Sequence, residues 1–113
     1  MELSRKKCVP CEGGVPPLTP EEVVDYMERV DPGWHLGGKR IAREFTLKDF
    51  KAAMGLINKV AVIAEREGHH PDIHLERWNH VRFVLYTHAI GGLHENDFIL
   101  AAKIDAAAAR KDY

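Results

Sequence analysis

The chain is 113 residues long, the size of one domain, and sixteen Lys and Arg nearly offset seventeen Asp and Glu, for a net charge of −1. Neither sign gathers into a block, so the basic stripe of a nucleic-acid binder is absent. No apolar run approaches the roughly twenty residues of a membrane span and no signal-peptide core opens the chain, so a cytoplasmic protein with no membrane partner is expected.

Residues 1–18 read as a Pro/Gly-rich N-terminal arm and 19–113 as one domain. Within the arm, Cys8 and Cys11 have the spacing of half a zinc site or a redox pair. No second pair completes four thiolates, and two reduced thiols suit a cytosolic protein better. Thr19-Pro20-Glu21-Glu22 predicts a capped helix start, running to about Val30 with Val23, Met27 and Val30 on one face. Trp34-His35-Leu36 and Lys39 to Phe45 flank Gly37-Gly38 as a hairpin, with Ile41, Arg43 and Phe45 turned to one side.

Thr46 and Asp49 suggest the next capping pair. Behind it Leu47, Phe50, Met54, Ile57, Ala61 and Ala64 recur at helical spacing until Gly68. Asp72–Trp78 and Val81–His88 read as strands joined by a turn at Asn79-His80, with Val81, Phe83, Leu85 and Thr87 sharing a face. The last helix is predicted from about His94 through Ala109, with Asp97 at its third position and Leu93 stapling Phe98. His94 as cap, where Ser or Thr is ordinary, predicts a weakened start. The order α-β-β-α-β-β-α gives an α+β fold: a four-stranded antiparallel sheet with helices on one face. So small a core gains stability from a second copy, and an open sheet gains from pairing its edge, so a homo-oligomer is expected.

Three histidines stand at element ends. His69 and His70 lie between the helix-stopping Gly68 and Pro71, and His88 precedes a glycine-rich loop. Imidazole both gives and takes protons near neutrality, which is what loss of water from an amino alcohol requires. No regular metal spacing such as His-Glu-x-x-His accompanies them, although a three-histidine zinc hydrolase is an alternative that metal analysis would decide. His35, His74 and His80 read as ordinary surface or hairpin residues.

Glu65-x-x-x-His69-His70-Pro71, followed by Trp78, His88 and Asp97, resembles the signature of the pterin-4a-carbinolamine dehydratases. The likeness extends to Cys8-Val9-Pro10-Cys11-Glu12-Gly13-Gly14 and to Gly91-Gly92-Leu93 before Glu95-Asn96-Asp97-Phe98. It implies a four-stranded sheet with helices on one face and subunits joined at strand edges, as a homodimer or homotetramer. It also implies dehydration of a 4a-hydroxytetrahydropterin to the quinonoid dihydropterin, in tetrahydrobiopterin recycling. The pterin is the substrate, and no metal or organic cofactor is needed.

By position, the resemblance makes His69 and His88 the acid–base pair, His70 the residue that mainly holds the pterin, and Asp97 a supporting carboxylate. Trp78 is either a pterin contact or a packing residue, and Glu65 either orients a histidine or is a solvated helix-end carboxylate. A binding role is the other alternative. An animal member of the family is a dimerisation cofactor for a homeodomain transcription factor, and plant relatives are linked to assembly of a carbon-fixing enzyme.

Overall fold

The structure, a computed structural model, describes residues 2–10 and 13–113. Its three helices are α1 (Pro20–Met27), α2 (Phe50–Glu67) and α3 (Glu95–Arg110). Its four strands are β1 (His35–Gly37), β2 (Arg40–Thr46), β3 (Asp72–Glu76) and β4 (His80–Leu85). The strands form one antiparallel sheet in the order β1-β2-β4-β3, so β1 and β3 are its edges. The predicted class and element order hold. No described helix is long and apolar enough to cross a membrane.

Alternation along the strands builds the core. Ile41 pairs with Leu85, Arg43 with Phe83 and Phe45 with Val81, which puts all six side chains on the helix-covered face. Ile41, Phe83 and Leu85 are fully buried there, together with Leu56, Val60, Phe98, Leu100 and Ile104 from the helices. Arg43 reaches the same side because Asp105 of α3 receives it at 2.5 Å, and Asp105 also accepts the Trp34 indole N–H at 2.8 Å and the Asp31 backbone N–H at 3.0 Å. One half-buried carboxylate thus ties β2 and the β1 approach to α3.

Several boundaries differ from the sequence reading. α1 stops at Met27 rather than Val30, because the Arg29 N–H bonds to the Tyr26 carbonyl three residues back and tightens the last turn. The cap of α2 is Asp49, whose side chain accepts the Ala52 N–H, and not Thr46, which ends β2. The buried stripe of α2 is Ala52, Ala53, Leu56, Val60 and Ala64, leaving Phe50 and Ala61 exposed and Met54 and Ile57 partly buried. The β3–β4 turn is Arg77-Trp78-Asn79, with Glu76 paired to His80. His88 does not close β4, which ends at Leu85; it opens a short 3-10 turn, His88–Ile90.

His94 makes a working cap where a weak one was expected. Its Nδ1 accepts the Asn96 N–H at 2.9 Å while Asp97 accepts the His94 backbone N–H at 3.0 Å, a complete capping box with imidazole in place of a hydroxyl.

The described part of the N-terminal arm packs onto the domain. Leu3 and Cys8 are buried in the common core, and Lys6 pairs with Glu95 at 2.7 Å. With the Lys6 ammonium and the Tyr26 hydroxyl beside it, the Glu95 carboxyl is held below its ordinary range. Burial above all, aided by the negative charge of Glu67, pushes the Cys8 thiol up to about 12. At pH 9 Cys8 then stays almost entirely protonated, whereas most ordinary thiols are thiolates. Cys8 should therefore resist iodoacetamide in the folded protein and react only on unfolding, as peptide mass mapping would read. Cys11 lies outside the described residues.

Candidate active site

α2 delivers two histidines by ending sharply. Gly68 adopts φ +66°, a left-handed conformation that favours glycine, and its N–H returns to the carbonyls of Ala64 and Glu65. The His69 N–H bonds to the Ala64 carbonyl, and Pro71 then forces the chain into β3. The two rings leave this corner for different partners. His69 Nε2 meets Asp97 Oδ1 at 2.6 Å, whereas His70 Nε2 meets Glu65 Oε2 at 2.6 Å on the exposed side.

Asp97 is the hub. It is wholly buried near the start of α3, with Oδ2 accepting from the Thr87 hydroxyl at 2.7 Å and the His94 backbone N–H at 3.0 Å, leaving Oδ1 for His69. A carboxylate only accepts, so His69 carries its proton on Nε2, and Nδ1 remains as the open proton site of a largely buried ring.

His88 approaches from the other wall. The Thr87 N–H and carbonyl both bond to Gly92, closing the loop of residues 88–91, and Gly91 at φ +65° returns its N–H to the His88 carbonyl. Gly92 is needed on steric grounds, since a Cβ there would lie 2.7 Å from Pro17. The His88 ring is exposed and stands edge-on to Tyr86, centroids 4.6 Å apart.

Val9, Gly68, His69, His70, Tyr86, Thr87, His88, Ala89 and Asn96 line a cleft of about 250 Å³. Three of the chain's seven histidines therefore meet in one hollow, with Asp97 behind them. A wider hollow of about 660 Å³ lies by Asp49 and Tyr113, but its walls carry no histidine. Trp78 is not brought into the cleft by its own chain. It sits in the β3–β4 turn, 64% exposed, with about 13 Å of strand between it and the histidine corner.

Among the described residues, no group of three or more His, Cys, Asp and Glu side chains is placed to hold a metal. The sequence reading missed Asn96, which is buried and takes Val9 by both backbone groups: the Val9 N–H donates to Oδ1 at 3.0 Å and Nδ2 donates to the Val9 carbonyl at 2.7 Å. It thereby fastens the arm as one wall of the cleft. It also missed Thr87 as a partner of Asp97. The only signal for Thr87 was its place on the buried face of the β4 segment.

Fold and cleft together define a small α+β protein with a cleft lined by three imidazoles, one of them bonded to a buried carboxylate. The family profile for pterin 4 alpha carbinolamine dehydratase matches residues 16–107, and the chain belongs to that family. A relative from Nitrosospira multiformis, provisionally named a pterin-4-alpha-carbinolamine dehydratase, is 50% identical over 92% of this chain and 90% of its own. The mitochondrial pterin-4-alpha-carbinolamine dehydratase 2 of Arabidopsis thaliana is 46% identical over 92% of this chain and 58% of its own. A crystal structure of a transcriptional coactivator/pterin dehydratase from Brucella melitensis superposes with a TM-score of 0.75 at 35% identity, covering 81% of this chain and 98% of that one. A pterin dehydratase-like RuBisCO assembly factor of the alpha-carboxysome, at 23% identity and a TM-score of 0.57, shares the fold, with 67% of this chain and 89% of that one covered.

Proposed function

We propose that the protein is a hydro-lyase that dehydrates 4a-hydroxytetrahydropterin to the quinonoid dihydropterin, using His69 and His88 as acid–base groups. The observation that carries the reading is the 2.6 Å bond from His69 to the buried Asp97 within a cleft that also holds His70 and His88. One imidazolium gives a proton to the C4a hydroxyl, the C4a–O bond breaks and water leaves. A ring N–H of the pterin gives up its proton to a neutral imidazole, so that the nitrogen lone pair becomes the new C=N bond. Protons and charge balance without metal or organic cofactor.

Asp97 holds His69 in the tautomer that leaves Nδ1 for the exchange. His70, drawn outward by Glu65, is suited to gripping the pterin rather than to proton transfer. In a cell that hydroxylates aromatic amino acids with a pterin cofactor, the reaction would return that cofactor for reduction. We further propose that the protein works as a homodimer or homotetramer, which the exposed Phe50 of α2 and the open β3 edge support.

Stopped-flow absorbance on freshly generated carbinolamine tests the activity. Substoichiometric protein should speed its decay to the quinonoid product. A decay unchanged by micromolar protein would end the proposal.

A further inference from the structure

Trp78 is the most exposed large apolar side chain among the described residues, at 64%, and it is displayed at some cost. Arg77 at φ +47° and Trp78 at φ +56° are consecutive left-handed residues in a two-φ-positive turn that ordinarily recruits Asn or Gly. Nothing within its own chain's cleft uses the indole, and that cleft, at about 250 Å³, falls short of the roughly 300–1,000 Å³ of small-molecule sites.

The outer edge of β3 supplies the missing connection. No described strand pairs there, and Ile73, on the helix-covered face beside Phe83, is 38% exposed. A second copy can add its own β3 antiparallel about a two-fold axis. Keeping the helices of both copies on one side of the joined sheet requires that residues of equal parity face each other. Centred on His74, this pairing would oppose Asp72 to the partner's Glu76, like charge to like, twice over. Centred on Ile73, it stacks Ile73 on the partner's Ile73 and sets Asp72 against the partner's His74 at both symmetry-related places. Of these two the second has the better charge and apolar match, and it covers the exposed Ile73, which a register centred on Leu75 would set against the partner's Arg77. It carries the partner's β3–β4 turn past the end of the ladder, with the partner's Trp78 level with Gly68 and the partner's Glu76 level with His70.

Resting on the dehydratase reading, we infer that the pterin cleft is composite: His69, His70 and His88 of one chain are completed by the partner's Trp78, whose flat indole covers a face of the planar pterin. The spatial claim and the catalytic one are tested separately. For the first, benzoylphenylalanine is placed at position 78 in a mixture of ¹⁴N- and ¹⁵N-labelled full-length protein, irradiated and mapped by mass spectrometry. Mixed-isotope crosslinks to residues 68–73 are expected. Capture confined to the same chain, or to another surface, overturns the arrangement whether or not the protein proves to be a dehydratase.

For the second, His69→Ala and Trp78→Gly chains are co-expressed, glycine being chosen because it accepts the left-handed turn. Trp78→Gly alone should lose roughly tenfold in kcat/KM, the scale of one aromatic contact. In random mixed dimers one cleft carries both lesions and the other none, so about a quarter of all clefts, and of wild-type activity, should return. Activity no higher than the mean of the two separate variants would show that Trp78 does not act across the interface. A wild-type protein without dehydratase activity would end the functional reading instead, and the crosslink alone would then decide whether the cleft is shared.

Discussion

Alanine at both His69 and His88 should bring carbinolamine breakdown down to its rate in buffer, while either replacement alone leaves measurable turnover. A positioned general acid or base contributes about 10²–10⁴-fold, and the carbinolamine already loses water slowly unaided, so each single loss should lie near the lower figure. The rings are well placed for separate duties. His69 is largely buried against Asp97 on one wall, and His88 is exposed beside Tyr86 on the other. With resolved 4a stereoisomers, each single variant should be impaired chiefly toward the isomer whose hydroxyl faces the missing ring. His70→Ala should raise KM more than it lowers kcat, since a residue that grips substrate and transition state alike contributes uniform binding. Near-wild-type rates toward both isomers in the double variant would remove the histidines from the mechanism.

Asp97 is where stability and activity should come apart. Asp97→Ala leaves the Thr87 hydroxyl, the His94 N–H and the His69 ring without their shared acceptor in a fully buried place. Breaking a buried, charge-assisted network of this kind costs about 3–5 kcal/mol, enough to lower Tm by roughly 10 °C or more in a domain this small. Asp97→Asn can keep one oxygen on Thr87 and His94 and should melt within a few degrees of wild type. Its amide N–H₂ then faces His69 Nε2, which must become the acceptor, and the ring's proton moves to Nδ1. The asparagine variant should therefore stay folded yet lose about 10²-fold or more in kcat, as a wrong tautomer would. Thermal melts beside initial rates decide it: asparagine as active as aspartate, or as unstable as alanine, would contradict the assigned role.

Strong local signals carried most of the fold into the sequence. Thr19-Pro20 and the Gly68 stop are chemical punctuation that works at short range, and the alternation Val81, Phe83, Leu85, Thr87 survives intact as the buried face. Element ends with weaker punctuation shifted. Asn79-His80 looks like a turn pair, yet the hairpin closes over Arg77-Trp78-Asn79, because pairing Glu76 with His80 keeps Leu75 and Val81 together on the core side. α2 was legible as a helix but not as an oriented one. Apolar residues occupy most of its circumference, so periodicity admits a Phe50-Met54-Ile57 stripe as readily as the Ala53-Leu56-Val60 stripe that the sheet buries.

The candidate site divides in the same way. That His69, His70 and His88 flank breaks in the chain, and that Glu65 lies within one helical turn of the pair, follows from short-range spacing, and residue type supplies the proton chemistry. Sequence alone could not say which carboxylate each ring takes. Glu65 could reach either neighbour, and only the backbone corner at Gly68 sends His70 to Glu65 and His69 to Asp97, a carboxylate from a helix 28 positions along the chain. Thr87, Asn96 and the docking of Val9 belong wholly to tertiary structure, since each is a hydrogen bond between segments far apart in sequence or across a loop. Composition, punctuation and periodicity act over a few residues and so determined the elements and the chemistry at hand. The burial of Asp97, the divergence of the two imidazoles and the face that α2 presents depend on which surfaces meet, and only the packed chain decides that.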